Sequence, residues 1–231
     1  MIKRIGAVIA VTLLAVTSTV QAENFFFPTQ EGLVLIHGEM DKRGRNVNGY
    51  QHTTIKNVEG ADGDFTVTVG LELFNKRRSP TGQAQYRIRI VDGAVEVGPH
   101  NFVDMSLHSD GDSAIVVTGD VIRIPSDMSP GQRFNDANMS ITADMVFFKL
   151  TTNIAITDYQ CLAVESITTP AGTFEAYKTT KKAAIGVGRA RPKITTTVTW
   201  NVRGIGPVRT IVYNHKGKVE SWTDLLEVRR P

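Results

Sequence analysis

Residues 193–228, KITTTVTWNVRGIGPVRTIVYNHKGKVESWTDLLEV, constrain the fold most: strand-like alternation, glycine punctuation and a hairpin turn follow one another without a gap. Ile194, Thr196, Val198 and Trp200 share one parity and Thr195, Thr197 and Thr199 the other, as a half-buried strand divides its side chains. The expected core face is that of Trp200, with the threonine face wet. Gly204-Ile205-Gly206-Pro207 predicts a bend or bulge, because glycine admits positive φ and proline donates no ladder hydrogen bond. A strand over 208–213 then turns back through Asn214-His215-Lys216-Gly217-Lys218, where Asn opens a type I turn and Gly217 takes the left-handed position.

The same grammar runs through the rest of the chain. Strands are expected at 33–40 and 47–58, joined by Asp41-Lys42-Arg43-Gly44-Arg45, a turn of the same composition as that at 214–218. Phe65, Val67, Val69, Leu71 and Leu73 alternate with Thr66, Thr68, Gly70 and Glu72, and Tyr86, Ile88 and Ile90 alternate with Arg87 and Arg89 ahead of the turn Asp92-Gly93 and a short strand at 94–97. Periodicity weakens over 98–113, which reads as an irregular connection. Residues 116–124 read as one strand and 125–132 as a crossing loop, followed by strands at 139–146, 147–158, 161–168 and 174–184. Nowhere do apolar residues recur at helical spacing for three turns. The fold class is therefore all-β, a mostly antiparallel meander forming a twisted sheet or open barrel with little helix.

Residues 1–22 have the form of a signal peptide: Lys3 and Arg4, an apolar stretch over 5–16, and small residues at Val20-Gln21-Ala22. The apolar stretch is shorter than the roughly 20 residues of a membrane anchor, so no transmembrane segment is expected in the mature chain. No cysteine stands beside residue 22 to carry a lipid at that site. Residues 23–231 are read as a single all-β domain, with a two-lobed arrangement about the loop near 125–132 as the variant. Without Lys3 and Arg4 the 26 basic side chains fall to within about one of the 23 acidic ones, which argues against nucleic acid as partner. Cys161 is the only cysteine, so no internal disulfide is available, and it reads as a small apolar core residue. Phe25-Phe26-Phe27 are expected to seal one end of the sheet.

Val164-Glu165-Ser166-Ile167-Thr168-Thr169-Pro170-Ala171-Gly172-Thr173-Phe174-Glu175-Ala176-Tyr177-Lys178, with Trp200 and Gly204-Ile205-Gly206-Pro207-Val208-Arg209 further on, resembles the pattern of the TapB-like family of exported envelope proteins. Residues 124–132 are similar to that family's central loop. The resemblance implies an all-β protein of the periplasm or outer membrane, related to a larger family of unknown function and sometimes described in carbohydrate-binding assemblies. It implies no catalytic residues.

The residues themselves offer no nucleophile elbow, no His-Glu-x-x-His, no Cys-x-x-Cys and no phosphate loop. Asp62-Gly63-Asp64 and Asp110-Gly111-Asp112 lack the spacing of a calcium loop, and the five histidines show no zinc spacing, so no metal or cofactor is expected. Two carboxylates distant in sequence can still face each other in a glycosidase cleft; most Asp and Glu here sit in turns or on polar strand faces, which points away from an enzyme. Two binding classes remain. The first is an envelope assembly or glycan-binding component, with Trp222 and Tyr213 as stacking surfaces. The second is a carrier of a lipid or other apolar ligand in a cavity of the curved sheet. Lys181, Lys182, Arg189, Arg191 and Lys193, five cations without an acid between 181 and 193, are candidate contacts for phosphates or an acidic glycan in either.

Overall fold

The computed structural model describes residues 25–61, 64–102, 115–145 and 148–231. They form one sheet of 13 strands, every pair antiparallel, and the only helical element among them is a 3-10 turn at Pro99–Phe102. The strands are β1 (Val34–Met40), β2 (Val47–Ala61), β3 (Asp64–Asn75), β4 (Pro80–Val91), β5 (Ala94–Val97), β6 (Ile115–Gly119), β7 (Ile122–Pro125), β8 (Ala137–Met145), β9 (Phe148–Thr169), β10 (Gly172–Val187), β11 (Lys193–Val202), β12 (Gly206–Asn214) and β13 (Val219–Arg229). Their order is β6-β8-β9-β10-β11-β12-β13-β1-β2-β3-β4-β5-β7. Because β13 pairs with β1, the first and last strands lie side by side in the middle of the sheet.

The expected strand over 116–124 is two strands, and they lie at opposite edges of the order. Gly119, at φ 129, ends β6, and only Asp120 and Val121 separate it from β7. Two edges joined by so short a link require the sheet to roll. Ile122 of β7 is accordingly buried among Ala137, Met139, Ile154 and Ile156 of β8 and β9, with Val97 packed beside it. The sheet remains open, as no ladder joins β6 to β7 among the described residues.

The strands expected at 147–158 and 161–168 are one 22-residue strand, β9, whose regularity breaks where Asp158 takes φ 52 and the register with β10 shifts. The crossing loop packs against it. Gly131 N–H donates to Cys161 O and Cys161 N–H to Gln132 O, both at 2.9 Å, while Met128 (2% exposed) is buried with Phe26 and Cys161. Burial raises the Cys161 thiol pKa, as expected of an inert core cysteine. Phe26 meets the Tyr177 ring edge-on at 4.9 Å, Phe25 and Phe27 lie against the main core cluster, and Gly204 N–H holds Phe25 O at 2.7 Å, so the phenylalanine run is packed into the core.

Local chemistry fixes the hairpins. Asp41 Oδ1 accepts from the N–H groups of Arg43 and Arg45, and Asn214 Oδ1 accepts from those of Lys216 and Lys218, with Gly44 at φ 67 and Gly217 at φ 72. Asn75 builds a third copy between β3 and β4, accepting from Arg77 and Ser79 N–H. Here Arg78 occupies the left-handed position at φ 62, a strain of about 1 kcal/mol, and its guanidinium sits 4.4 Å above the Tyr50 ring, an attraction of similar size.

The largest core cluster runs from Leu35 and Ile55 through Val67, Val69, Ile88 and Ile90 to Val208 and Leu225. Inside this half of the sheet lies His37, 8% exposed. Its Nε2 donates to Pro207 O at 2.8 Å, which leaves Nδ1 as a buried lone pair without a partner. Burial lowers its pKa below 6.5, against smaller upward pulls from Pro207 O and the Asp224 charge. The unfolded chain therefore takes up a proton near pH 6.5 that the folded chain refuses. Stability should be full above that pH and fall as the pH drops towards the folded pKa, at up to about 1.4 kcal/mol per pH unit. Urea titrations from pH 7.5 to 5 should show this slope in the parent and a flatter one in His37→Gln; equal slopes would remove His37 as the cause.

Candidate functional site

Strands β10, β11 and β12 carry an open groove of about 610 Å³. Two rows of cross-strand partners build it. Lys182, Thr196 and Tyr213 lie side by side on the three strands, and four residues along β11 Lys178 lies beside Trp200. At about 3.3 Å per residue the rows are roughly 13 Å apart. Val198 and Ile194 (51% exposed) supply an apolar floor, and Asn214, His215 and Gly217 of the β12–β13 turn close one side.

Its charges are already neutralised. Lys178 Nζ lies 3.2 Å from Glu165 Oε1 and 5.1 Å above the Trp200 ring, and Trp200 Nε1–H donates to the same carboxylate oxygen at 2.7 Å. Those two donors, Trp200 first, lower the pKa of Glu165. Lys182 Nζ meets Asp158 Oδ2 at 2.8 Å, a pairing that lowers the Asp158 pKa and raises that of Lys182. Among the described residues the Tyr213 hydroxyl has no partner. What the groove presents is thus an indole, a phenol, a threonine hydroxyl and an apolar floor between two closed ion pairs.

A second hollow, about 390 Å³, continues the same face of β10 through Ala184 and Gly186 onto Asn153 and Ala155 of β9 and Asn138 and Ser140 of β8. Ala184 pairs with Ile194, so the two hollows adjoin. Small side chains keep this part shallow, and Asn and Ser give it hydrogen-bonding groups. Among the described residues no group of three His, Cys, Asp or Glu side chains could hold a metal ion.

The residues singled out by sequence are dispersed. Tyr213 and Lys182 line the groove. Trp222 stands elsewhere: it is half-buried, its ring covers Gly44 of the β1–β2 turn, its Nε1–H donates to Asp224 Oδ1 at 2.9 Å, and the Arg209 guanidinium lies 5.4 Å from its centroid. Lys181 projects to the opposite face from Lys182, beside the buried ring of Tyr159. Lys193, at the start of β11, is paired with Glu220 at 2.9 Å, and Arg189 and Arg191 are exposed in the β10–β11 turn, outside the groove lining. Trp200, assigned from sequence to the core face, does pack against the main core cluster, and its partly exposed edge also lines the groove. Only the β10–β11 register, which sets it beside Lys178, identifies it.

The DUF3108-like family model matches residues 30–225. Two solved structures share the fold. One is a proposed exported protein with a YmcC-like fold from Bacteroides fragilis, 19% identical, with a TM-score of 0.67 over 89% of this chain and 99% of that one. The other is a proposed lipoprotein from Parabacteroides distasonis, 22% identical, with a TM-score of 0.70 over 89% of this chain and 98% of that one. No curated protein matches the chain.

Proposed function

The chain belongs to the DUF3108-like family, and from that premise we propose that it is an exported, non-catalytic binding component of the bacterial envelope, with a glycan chain as ligand in the β10–β12 groove. The signal-like residues 1–22 and the exported and lipoprotein descriptions of the two structural neighbours support the compartment. The Pro170-Ala171-Gly172-Thr173-Phe174 motif supports a narrower placement beside the TapB-like proteins.

One observation carries the ligand class. Trp200 and Tyr213 stand about 13 Å apart along a groove whose lysines are already ion-paired. Aromatic faces separated by that distance fit the apolar faces of non-adjacent sugar units in an oligosaccharide, while Thr196, Asn214 and the adjoining Asn and Ser residues can meet its hydroxyls. Paired cations have little charge left to offer, so a neutral chain is favoured over an acidic one. Titration calorimetry against neutral and uronic-acid oligosaccharides should give binding to the neutral set. Tyr213→Ala and Trp200→Ala should each weaken it at least tenfold. Tyr213→Ala is the cleaner variant because, among the described residues, its side chain makes no hydrogen bond or ion pair to lose. Retained affinity in Tyr213→Ala, or no neutral saccharide bound at all, would sink the reading.

A further inference from the structure

Along β10 the residues Lys178, Lys182 and Gly186 stand on one face at equal intervals, about 13 Å apart. The first lies beside Trp200 and the second beside Thr196 and, one strand further, Tyr213, so these two rows form the aromatic part of the groove. The third row leads the other way across the sheet. Gly186 pairs with Asn153 on β9, Asn153 with Ser140 on β8, and Ser140 with Thr118 on β6. All four residues line the hollow of about 390 Å³, which meets the groove where Ala184 pairs with Ile194.

Elsewhere on this face of β8 and β9 the polar side chains satisfy one another across the strands. Asp144 holds Lys149 at 3.1 Å, and in the next row the hydroxyls of Thr142 and Thr151 are 3.0 Å apart. The pattern stops at the hollow. Among the described residues the side chains of Thr118, Ser140 and Asn153 bond to no protein group, and neither does that of Asn138 beside Ala155. Ala155, Ala184 and Gly186 leave the floor between them low. No charged side chain lines the hollow among the described residues.

We propose, on the neutral-glycan reading of the aromatic rows, that this hollow is a further subsite of the same groove and that the ligand is a chain of hexasaccharide length or more. From the Trp200 row to the Gly186 row is about 26 Å along β10, of which the aromatic rows cover only half. The chain crosses Val198, Thr196 and Ile194, passes Ala184 and lies over Asn153 and Ser140. There an amide and hydroxyls, each offering both donor and acceptor, meet sugar hydroxyls of the same double character. The absence of charge in the lining extends to this subsite the preference for a neutral chain that the paired lysines set in the aromatic part.

Titration calorimetry on the intact protein with neutral gluco-, manno- and galacto-oligosaccharides, each as trisaccharide and hexasaccharide, tests this. In the set that binds, the hexasaccharide should bind at least tenfold more tightly than the trisaccharide. Ala155→Phe puts a ring into the hollow from a partly exposed position; it should return the hexasaccharide to the trisaccharide value and leave the trisaccharide unchanged. A gain that came only from the extra registers of a longer chain would survive that variant. Asn153→Ala, at an exposed side chain, should weaken the hexasaccharide alone by about three- to tenfold, the worth of one or two hydrogen bonds. Tyr213→Ala should weaken both lengths. Equal affinity for the two lengths, or hexasaccharide binding undiminished by Ala155→Phe, would overturn the extended chain and leave the aromatic groove standing. No neutral oligosaccharide bound at either length would overturn both.

Discussion

Asp224→Ala should cost about 3–5 kcal/mol, the usual consequence of removing one partner from a buried ion pair. Asp224 is 4% exposed and accepts three hydrogen bonds: from Arg209 Nε at 2.5 Å, from Arg209 Nη2 at 2.7 Å and from Trp222 Nε1 at 2.9 Å. Alanine leaves a guanidinium with 21% side-chain exposure and an indole N–H without their acceptor. The damage spreads beyond β12 and β13, because Arg209 Nη2 also donates to Thr168 O at 3.2 Å and so fastens the tip of the long β9–β10 hairpin to them. Against a total stability of about 5–15 kcal/mol, this loss should lower the melting temperature by about 10 °C or more. Urea melts of Asp224→Ala, Arg209→Met and the double variant give the coupling directly. The double variant should recover part of the single loss, since it removes the stranded charge; a cost below about 1 kcal/mol for Asp224→Ala would show that the network contributes little.

Hairpin turns were legible in the sequence because their chemistry is local. Asp41 with Gly44 and Asn214 with Gly217 each carry their turn within five residues. The third copy, at Asn75, reads in sequence only as a connection, because Arg78 stands where the other two have glycine and its compensation comes from Tyr50, distant in sequence. Which face of a strand is buried was less legible. Along β11 the alternation is real, yet Thr195 is 8% exposed and Ile194 51%, the reverse of the hydrophobicity pattern. A rolled sheet buries whichever parity faces inwards, and each bulge exchanges the two parities. Such bulges occur in β9 at Asp158, in β12 near Val208 and in β13 near Leu226. Trp222 shares its parity with Leu226 and Val228 in sequence, but the register shift lies between them.

The candidate site shows the same limit at larger scale. Tyr213 and Lys182 are 31 positions apart and stand on strands separated by β11, so their meeting depends on two registers that no motif records. Charge counting found the five cations from 181 to 193, but their counter-ions come from elsewhere: Asp158 from β9 and Glu220 from β13. A run that looks uniformly basic in sequence thus separates into two paired lysines, of which only Lys182 lines the groove, two exposed arginines, and Lys181 beside the Tyr159 ring.

Gly119→Ala should be the most damaging of the glycine substitutions that touch topology. Gly119 has φ 129, and an added Cβ would stand 2.3 Å from Asn138 O and 2.6 Å from Met139 Cα, both backbone atoms that cannot swing aside. The next residue is clamped to the same place: Asp120 N–H donates to Asn138 O, and Asn138 N–H donates to Asp120 Oδ2, both at 2.9 Å. Relieving the clash therefore means giving up the clamp, and the clamp is what delivers the chain from β6 at one edge to β7 at the other. A loss of about 3 kcal/mol is expected from the backbone strain and the broken bonds together. Gly188→Ala is the matched control, for Gly188 also has positive φ, at 56, but nothing lies within 4 Å of its Cβ position, so its cost should stay near 1 kcal/mol. Hydrogen exchange separates the mechanisms. If the link holds the roll together, amides of both β6 and β7 lose protection in Gly119→Ala, and Ile122 comes away from Met139 and Ile156. Loss confined to β6, with β7 as protected as in the parent, would mean that the β7 edge is held by its own pairing with β5 and that the link is only a tether.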